Sequence, residues 1–318
     1  MKIRPYTAGD AERACELWNA CLPRDLINGD NFYRRIIYDV NFDPQKYLFA
    51  VERDEPIGFV YGVKRRVPDE ISGPQPEQGW IAAMGVRPSR RGQGVGKTLL
   101  EALEGLLIAE GAKKIDLGPY PSNYFCPGVD KDAYDSGVRF FTNRGYEARG
   151  ESFSMDLNLR GYQRPLPYVE KKKALETAGY RFKAFEPADT LSLFTFMRED
   201  FGWWLPDVRA SILAGRAEKT LILAQDAGGA TVGFVLRGMD GTGERFGPFG
   251  TKPSLQGIGL GTTLFHDMME NMAAARIFYT YFLWTSGRNL DIYGTWGMKV
   301  YRRYAMLSKT IFDKPEEK

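Results

Sequence analysis

Two segments of this 318-residue chain have the residue types that hold a phosphate: Arg91-Gly92-Gln93-Gly94-Val95-Gly96-Lys97 and Gln256-Gly257-Ile258-Gly259-Leu260-Gly261-Thr262. Closely spaced glycines that open a helix leave several backbone N–H groups unpaired and aimed at one point, where the helix dipole also favours an anion. Glycine is needed because side chains would keep the phosphate from the backbone, and because some positions require positive φ. Each segment leads into the apolar stripe of one amphipathic helix, Leu99, Leu100, Leu103 and Leu107 in the first and Leu264, Phe265, Met268 and Met272 in the second.

Several chemistries use such a loop. The ending Gly96-Lys97-Thr98 suggests nucleotide hydrolysis, but that motif needs a glycine at position 91, where Arg91 stands, and the second segment has Thr262 in place of the lysine. A dinucleotide site places its loop early in a βαβ unit, with an acidic residue about twenty positions on. Asp116 has that spacing, yet strand hairpins precede both loops. The plain alternative for either loop alone is a turn kept only to lead the chain into its helix.

The elements that must position these loops are written twice. Ile3–Asp10 and Arg181–Asp189 each read as a strand entering a helix, with Asp10 and Asp189 placed to cap it. Tyr47–Val51 with Pro56–Gly62 predicts a hairpin, and Thr220–Ala224 with Val232–Leu236 repeats it down to a shared Gly-Phe-Val. Met84–Gly96 then aligns with Phe249–Gly261 without a gap. These repeats predict domains over 1–160 and 180–318, joined by a lysine-rich linker or helix over 161–179. The first copy also carries a Pro- and aromatic-rich insertion over Pro119–Gly128, of the kind that is functional or mobile.

Arg91-x-x-Gly94-x-Gly96 and Gln256-x-x-Gly259-x-Gly261 resemble the signature of the GCN5-related N-acetyltransferase (GNAT) family, and nearly the whole chain follows that family's order of elements. The resemblance implies two tandem α/β folds, each a mixed, mostly antiparallel sheet with flanking helices. It implies that Val86 and the N–H groups of residues 91–97 and 256–262 bind acetyl-CoA, and that a strand N–H within Ala82–Val86 or Gly247–Thr251 polarises the acetyl carbonyl. The amine then attacks the thioester directly, and a tyrosine protonates the departing thiolate. Tyr293, in Tyr293-Gly294-Thr295-Trp296-Gly297-Met298, takes that role; Phe141 stands at the matching place of the first copy and cannot donate a proton. Tyr124 or Tyr134 could supply a hydroxyl to the first copy. The resemblance also admits aminoacyl-transferring enzymes of the same fold and non-catalytic acyl-CoA binders.

Other residues are read more plainly. Asp116, Asp240 and Glu244 are carboxylates near strand ends, each as readily a solvated charge as a base. His266 lies off the apolar stripe and is expected on the surface, as are the clusters Lys64-Arg65-Arg66 and Lys171-Lys172-Lys173. Trp203-Trp204 could wall a pocket, or more simply pack in the core. Cys15, Cys21 and Cys126 form no CxxC pair, and neither a disulfide framework nor a metal site is expected. A net charge of +3 does not call for a nucleic-acid partner. The absence of a long apolar run and of a leader-like start predicts a cytoplasmic protein. The expected partner is a small-molecule amine, and a tandem pair that buries its own surfaces favours a monomer.

Overall fold

The computed structural model describes residues 1–68, 73–120 and 125–311. In chain order the first half contains β1 (Lys2–Pro5), α1 (Ala11–Cys21), α2 (Gly29–Phe32), β2 (Tyr47–Glu52), β3 (Glu55–Lys64), β4 (Gln78–Val86), α3 (Val95–Ala109), β5 (Lys114–Leu117), β6 (Val129–Asp130), α4 (Asp135–Thr142) and β7 (Glu147–Asn158). The second contains α5 (Leu166–Thr177), β8 (Arg181–Ala184), α6 (Thr190–Asp200), α7 (Leu205–Leu213), α8 (Ala217–Thr220), β9 (Leu221–Gln225), β10 (Thr231–Arg237), β11 (Phe246–Thr251), α9 (Leu260–Ala274), β12 (Tyr279–Thr285), α10 (Arg288–Thr295) and β13 (Lys299–Thr310).

Two compact units result, Met1–Ser152 with Arg302–Lys318 as unit 1 and Phe153–Tyr301 as unit 2. This partition differs from the one expected from the repeats. The chain passes between units inside two long strands, so β7 gives its first residues to unit 1 and its last to unit 2, and the end of β13 returns to unit 1. Residues 161–179 do not stand apart as a linker either, because α5 packs against α9 within unit 2.

In unit 1 the sheet order is β1-β2-β3-β4-β5-β13-β7. The first four strands are antiparallel neighbours, β4 and β5 run parallel, and β13 lies antiparallel to β5. Strand alternation gives the sheet two apolar faces. Leu99, Leu100, Leu103 and Leu107 of α3 cover one, against Leu48, Val60 and Ile115. Trp18 of α1 and Phe32 of α2 cover the other, against Tyr47, Phe49, Phe59 and Tyr61. Unit 2 repeats the plan with an antiparallel sheet β11-β10-β9-β8, while β12 pairs antiparallel with the end of β7. The shared Gly-Phe-Val now has a cause. A Cβ on Gly58 would lie 3.0 Å from Leu99, and one on Gly233 would lie 2.9 Å from Leu264, so only glycine lets each helix settle on its hairpin.

Some local expectations are refined. Asp10 and Asp189 do stand at the N-cap positions of α1 and α6, but their side chains make no cap bond to those helices. Asp10 instead takes a bidentate pair of 2.7 Å bonds from Arg4 and accepts from the Thr7 N–H, charge-assisted bonds that outweigh a neutral cap. Asp189 accepts from the Glu186 N–H and from Gln225. Lys64 and Arg65 are buried rather than solvated, with Lys64 bonded to the Pro76 carbonyl and Arg65 over the rings of Trp80 and Tyr120.

The returning end of β13 is fastened by Arg302. Its Nη1 and Nη2 donate to Asp25 at 2.6 and 2.9 Å, and its Nε donates to Asp130 at 2.7 Å. Tyr134 Oη and Cys126 Sγ donate to the same Asp25 carboxylate. Burial alone would raise Asp25, but the guanidinium more than offsets it and holds the carboxyl below its usual range. Arg302→Met would leave two carboxylates buried without their cation. It should cost about 3–5 kcal/mol, measured as a lower denaturation midpoint for unit 1; an unchanged midpoint would show that the cluster adds nothing to stability.

Candidate functional site

Both predicted phosphate loops open their helices with left-handed glycines. Gly92 and Gly94 have φ of +73° and +83°, and Gly257 and Gly259 have +88° and +107°. Gly94 and Gly259 are the N-cap residues of α3 and α9, and neither cap position supplies a side-chain bond. The third glycine of each loop is needed for space instead. A Cβ on Gly96 would lie 3.2 Å from the Phe140 ring, and one on Gly261 would lie 3.1 Å from Phe249.

The loops leave a row of donors unused. Arg91 N–H donates to Pro88 O and Gln256 N–H to Pro253 O, while Thr98 and Thr263 already bond back to Gly94 and Gly259. Between them, the N–H groups of Gly92, Gln93, Gly94, Val95, Gly96 and Lys97 bond to no described residue, nor do those of Gly257, Ile258, Gly259, Leu260, Gly261 and Thr262. The Arg91 side chain does not point at the row. Its Nε donates to Val86 O at 3.1 Å and its Nη2 to Cys21 O at 3.3 Å, tying the loop to β4 and α1.

Each row lies at the mouth of a parted strand pair. In unit 1 the parallel pairing of β4 and β5 ends at Ile81 and Leu117, where Ala82 bulges from the β3 register and β4 runs on to Val86. Arg87 N–H donates to Ile57 O, so by alternation the N–H groups of Met84 and Val86 face away from β3, into the gap. In unit 2 the strands meet only at their start, where Arg245 bridges Tyr281 and Glu244 O accepts from the Tyr281 N–H. Lys252 N–H donates to Val232 O, which turns the N–H groups of Phe249 and Thr251 the same way. In each unit, strand N–H groups that face the gap thus lead into the row of unbonded loop N–H groups.

Tyr293 of α10 stands among aromatic rings of unit 2. Phe282 is 4.6 Å away between centroids, Trp296 5.4 Å, Phe246 and Phe265 6.2 Å, and Phe249 6.4 Å. Burial raises its hydroxyl above the ordinary phenol value, so it stays protonated, and the hydroxyl bonds to no described residue. In unit 1 Phe141 is buried against Tyr146. The other candidate hydroxyl there is engaged, since Tyr134 donates to Asp25 and accepts from the Arg24 N–H. Tyr124 lies outside the described residues.

The carboxylates read from the sequence are dispersed. Asp116 accepts from Gln78 and Lys114, Asp240 accepts from the Thr242 N–H, and Glu244 lines a separate cleft of about 370 Å³ with Asn158, Arg160, Arg276 and Tyr279. A carboxylate that sequence reasoning missed, Asp207 of α7, is pushed up to about 7 by burial and by Asp240, against the pull of Arg245. Nothing in Leu205-Pro206-Asp207-Val208 signals that burial. Trp204 is partly buried on Phe201 at 5.8 Å, whereas Trp203 is 49% exposed.

His266 is corrected from surface to core, at 1% exposure. Its Nδ1 bonds to the Tyr162 hydroxyl and its ring stacks on Tyr168 at 4.3 Å, while Arg164 and Lys172 both pair with the neighbouring Asp267. These contacts latch α5 and the chain before it onto α9.

Comparisons with known proteins give the family and the fold. The Acetyltransferase (GNAT) family matches residues 11–125. An acetyltransferase of Sodalis glossinidius is 32% identical over 118 residues, covering 37% of this chain and 74% of that protein. Among solved structures, a GCN5-related glucosamine N-acetyltransferase region of a fungal multi-domain GH3 β-N-acetylglucosaminidase superposes with a TM-score of 0.81 at 20% identity, over 96% of this chain and 38% of that one. A tandem GNAT protein from the clavulanic acid biosynthesis pathway superposes with a TM-score of 0.66 at 14% identity, over 98% of this chain and 99% of that one. This chain belongs to the GNAT family of acetyltransferases, and it carries the fold in tandem.

The latch gives unit 2 an acid limit. Burial, reinforced by the Arg164 cation, pushes His266 down to about 4. Between about pH 6.5 and 4 the unfolded chain therefore binds a proton that the folded one refuses. Stability should be full above about pH 6.5 and fall by about 3 kcal/mol toward pH 4. His266→Gln should flatten that slope in denaturation curves taken across the window. A slope unchanged in the variant would assign it to other groups.

Proposed function

We propose that this chain is an acetyl-CoA-dependent N-acetyltransferase of the cytoplasm that acts on a small-molecule amine. One observation carries the reading: each row of unbonded N–H groups, Gly92–Lys97 and Gly257–Thr262, opens beside a pair of strands that part and leave further donors facing the gap. A pyrophosphate fits the row, and a narrow pantetheine arm fits the gap. Bound acetyl-CoA would supply the acetyl thioester. Phe249 and Thr251 N–H would polarise its carbonyl in unit 2, as Met84 and Val86 N–H would in unit 1. Tyr293 is the proton donor to the departing thiolate, because it is the tyrosine beside a loop whose hydroxyl is uncommitted and held protonated. With these roles, turnover belongs to unit 2. The fungal neighbour is named a glucosamine N-acetyltransferase region, which makes amino sugars the first acceptors to test.

Calorimetric titration with acetyl-CoA, followed by thiol release in the presence of amino sugars, polyamines and amino acids, tests the reading. Binding with amine-dependent thiol release is the expected result, and failure to bind would overturn it. Tyr293→Phe should lower kcat by about 10²-fold or more with little change in the KM for acetyl-CoA. If Tyr293→Phe kept full activity while Arg91→Ala abolished it, the active site would belong to unit 1.

A further inference from the structure

The two loops differ in charge although they share a backbone. Unit 1 carries Arg90, Arg91 and Lys97, where unit 2 has the neutral Leu255, Gln256 and Thr262. CoA brings a pyrophosphate and a sugar phosphate, so a loop without cations binds it with backbone donors alone. Unit 2 has a replacement from outside the repeat. The stem of Lys171, on α5, lies across Gly259: a Cβ placed on that glycine would be 3.0 Å from Lys171 Cγ and 3.2 Å from Cδ, with Cε closer still. The equivalent Gly94 of unit 1 has nothing within 4 Å.

We infer that Lys171 is a phosphate-binding residue of unit 2, supplying from α5 a positive charge that the second loop lacks in its own sequence. The inference rests on the reading of that loop as a CoA site. Its ammonium, one bond beyond Cε, reaches the loop while pairing with no described carboxylate; its neighbour Lys172 is spent on Asp267. The position of the lysine is fixed rather than incidental. Arg164 pairs with Asp267 and Glu270, Tyr162 bonds to His266, and Tyr168 stacks on it, contacts that hold α5 against α9 and involve no residue of the loop. Lys171 itself is exposed, free to meet a ligand.

The test is CoA binding to the full chain carrying Gly94→Val, which blocks the unit 1 loop through its positive φ, in that background alone and with Lys171→Met or Lys171→Arg. Lys171→Met keeps the stem over Gly259 and removes the charge. It should weaken CoA binding about 5- to 20-fold and reduce the salt dependence of the affinity, while Lys171→Arg should retain both. Titration with pantetheine, which lacks the phosphates, should not distinguish the Lys171→Met protein from its Gly94→Val parent. If Lys171→Met binds CoA as well as its parent, or more tightly, the lysine only covers the loop and the inference fails while the CoA reading stands. If the unsubstituted chain binds CoA and the Gly94→Val parent does not, unit 2 holds no CoA and the inference fails with it. If neither the parent nor the unsubstituted chain binds CoA, that reading itself has failed.

Discussion

The proposed chemistry depends on two parallel strands failing to stay together. A parallel pair that continued past Ile81 and Leu117 would satisfy the backbone of β4 and close the sheet; instead the bulge at Ala82 turns β4 away and leaves its last donors unpaired. The same parting follows the single bridge between Arg245 and Tyr281. Unpaired backbone donors are costly unless something meets them, and here they open to the exterior at the start of a helix whose first turn is also unmet. The glycines with positive φ make that conjunction possible, because they let the chain reverse from strand to helix without placing a side chain in the opening.

The chain carries this opening twice, and the surroundings of the two differ. Three strand positions beside the unit 1 opening are aliphatic, Ile81, Met84 and Leu117, where unit 2 has Phe246, Phe249 and Phe282. Unit 2 thereby gains an aromatic wall that packs around Tyr293, and burial in that wall keeps its proton on. Unit 1 keeps its loop cations, although two of them are committed to Glu52 and Glu101 and Arg91 serves as a tie to β4. The crossing of β7 and β13 adds a constraint of another kind. Unit 1 owns a strand made from the end of the chain, and Arg302 anchors it to Asp25 and Asp130.

The fold was legible in the sequence wherever periodicity and glycine chemistry acted locally. The leucine stripe of α3, the matching stripe of α9, the paired hairpins and the left-handed glycines all follow from short-range pattern. What stayed hidden depends on long-range partners. A serial reading of domains could not anticipate that residues after 301 would return to unit 1, since β13 is one uninterrupted strand. His266 lay off the stripe and looked polar, but α5 covers that side of α9 and buries it. Lys64-Arg65-Arg66 looked like a solvated run, yet Trp80 and Tyr120 supply aromatic faces for Arg65. Asp207 gave no local signal because the charges that act on it, Arg245 and Asp240, lie far along the chain.

The most direct measurement is amide hydrogen exchange in the two glycine loops, with and without acetyl-CoA. Strong protection on binding at Gly92–Lys97, Gly257–Thr262 or both is the predicted result, since these N–H groups bond to no described residue that would slow their exchange. Exchange that remains fast in both loops at saturating acetyl-CoA would contradict the account, because it would show that the ligand is held elsewhere.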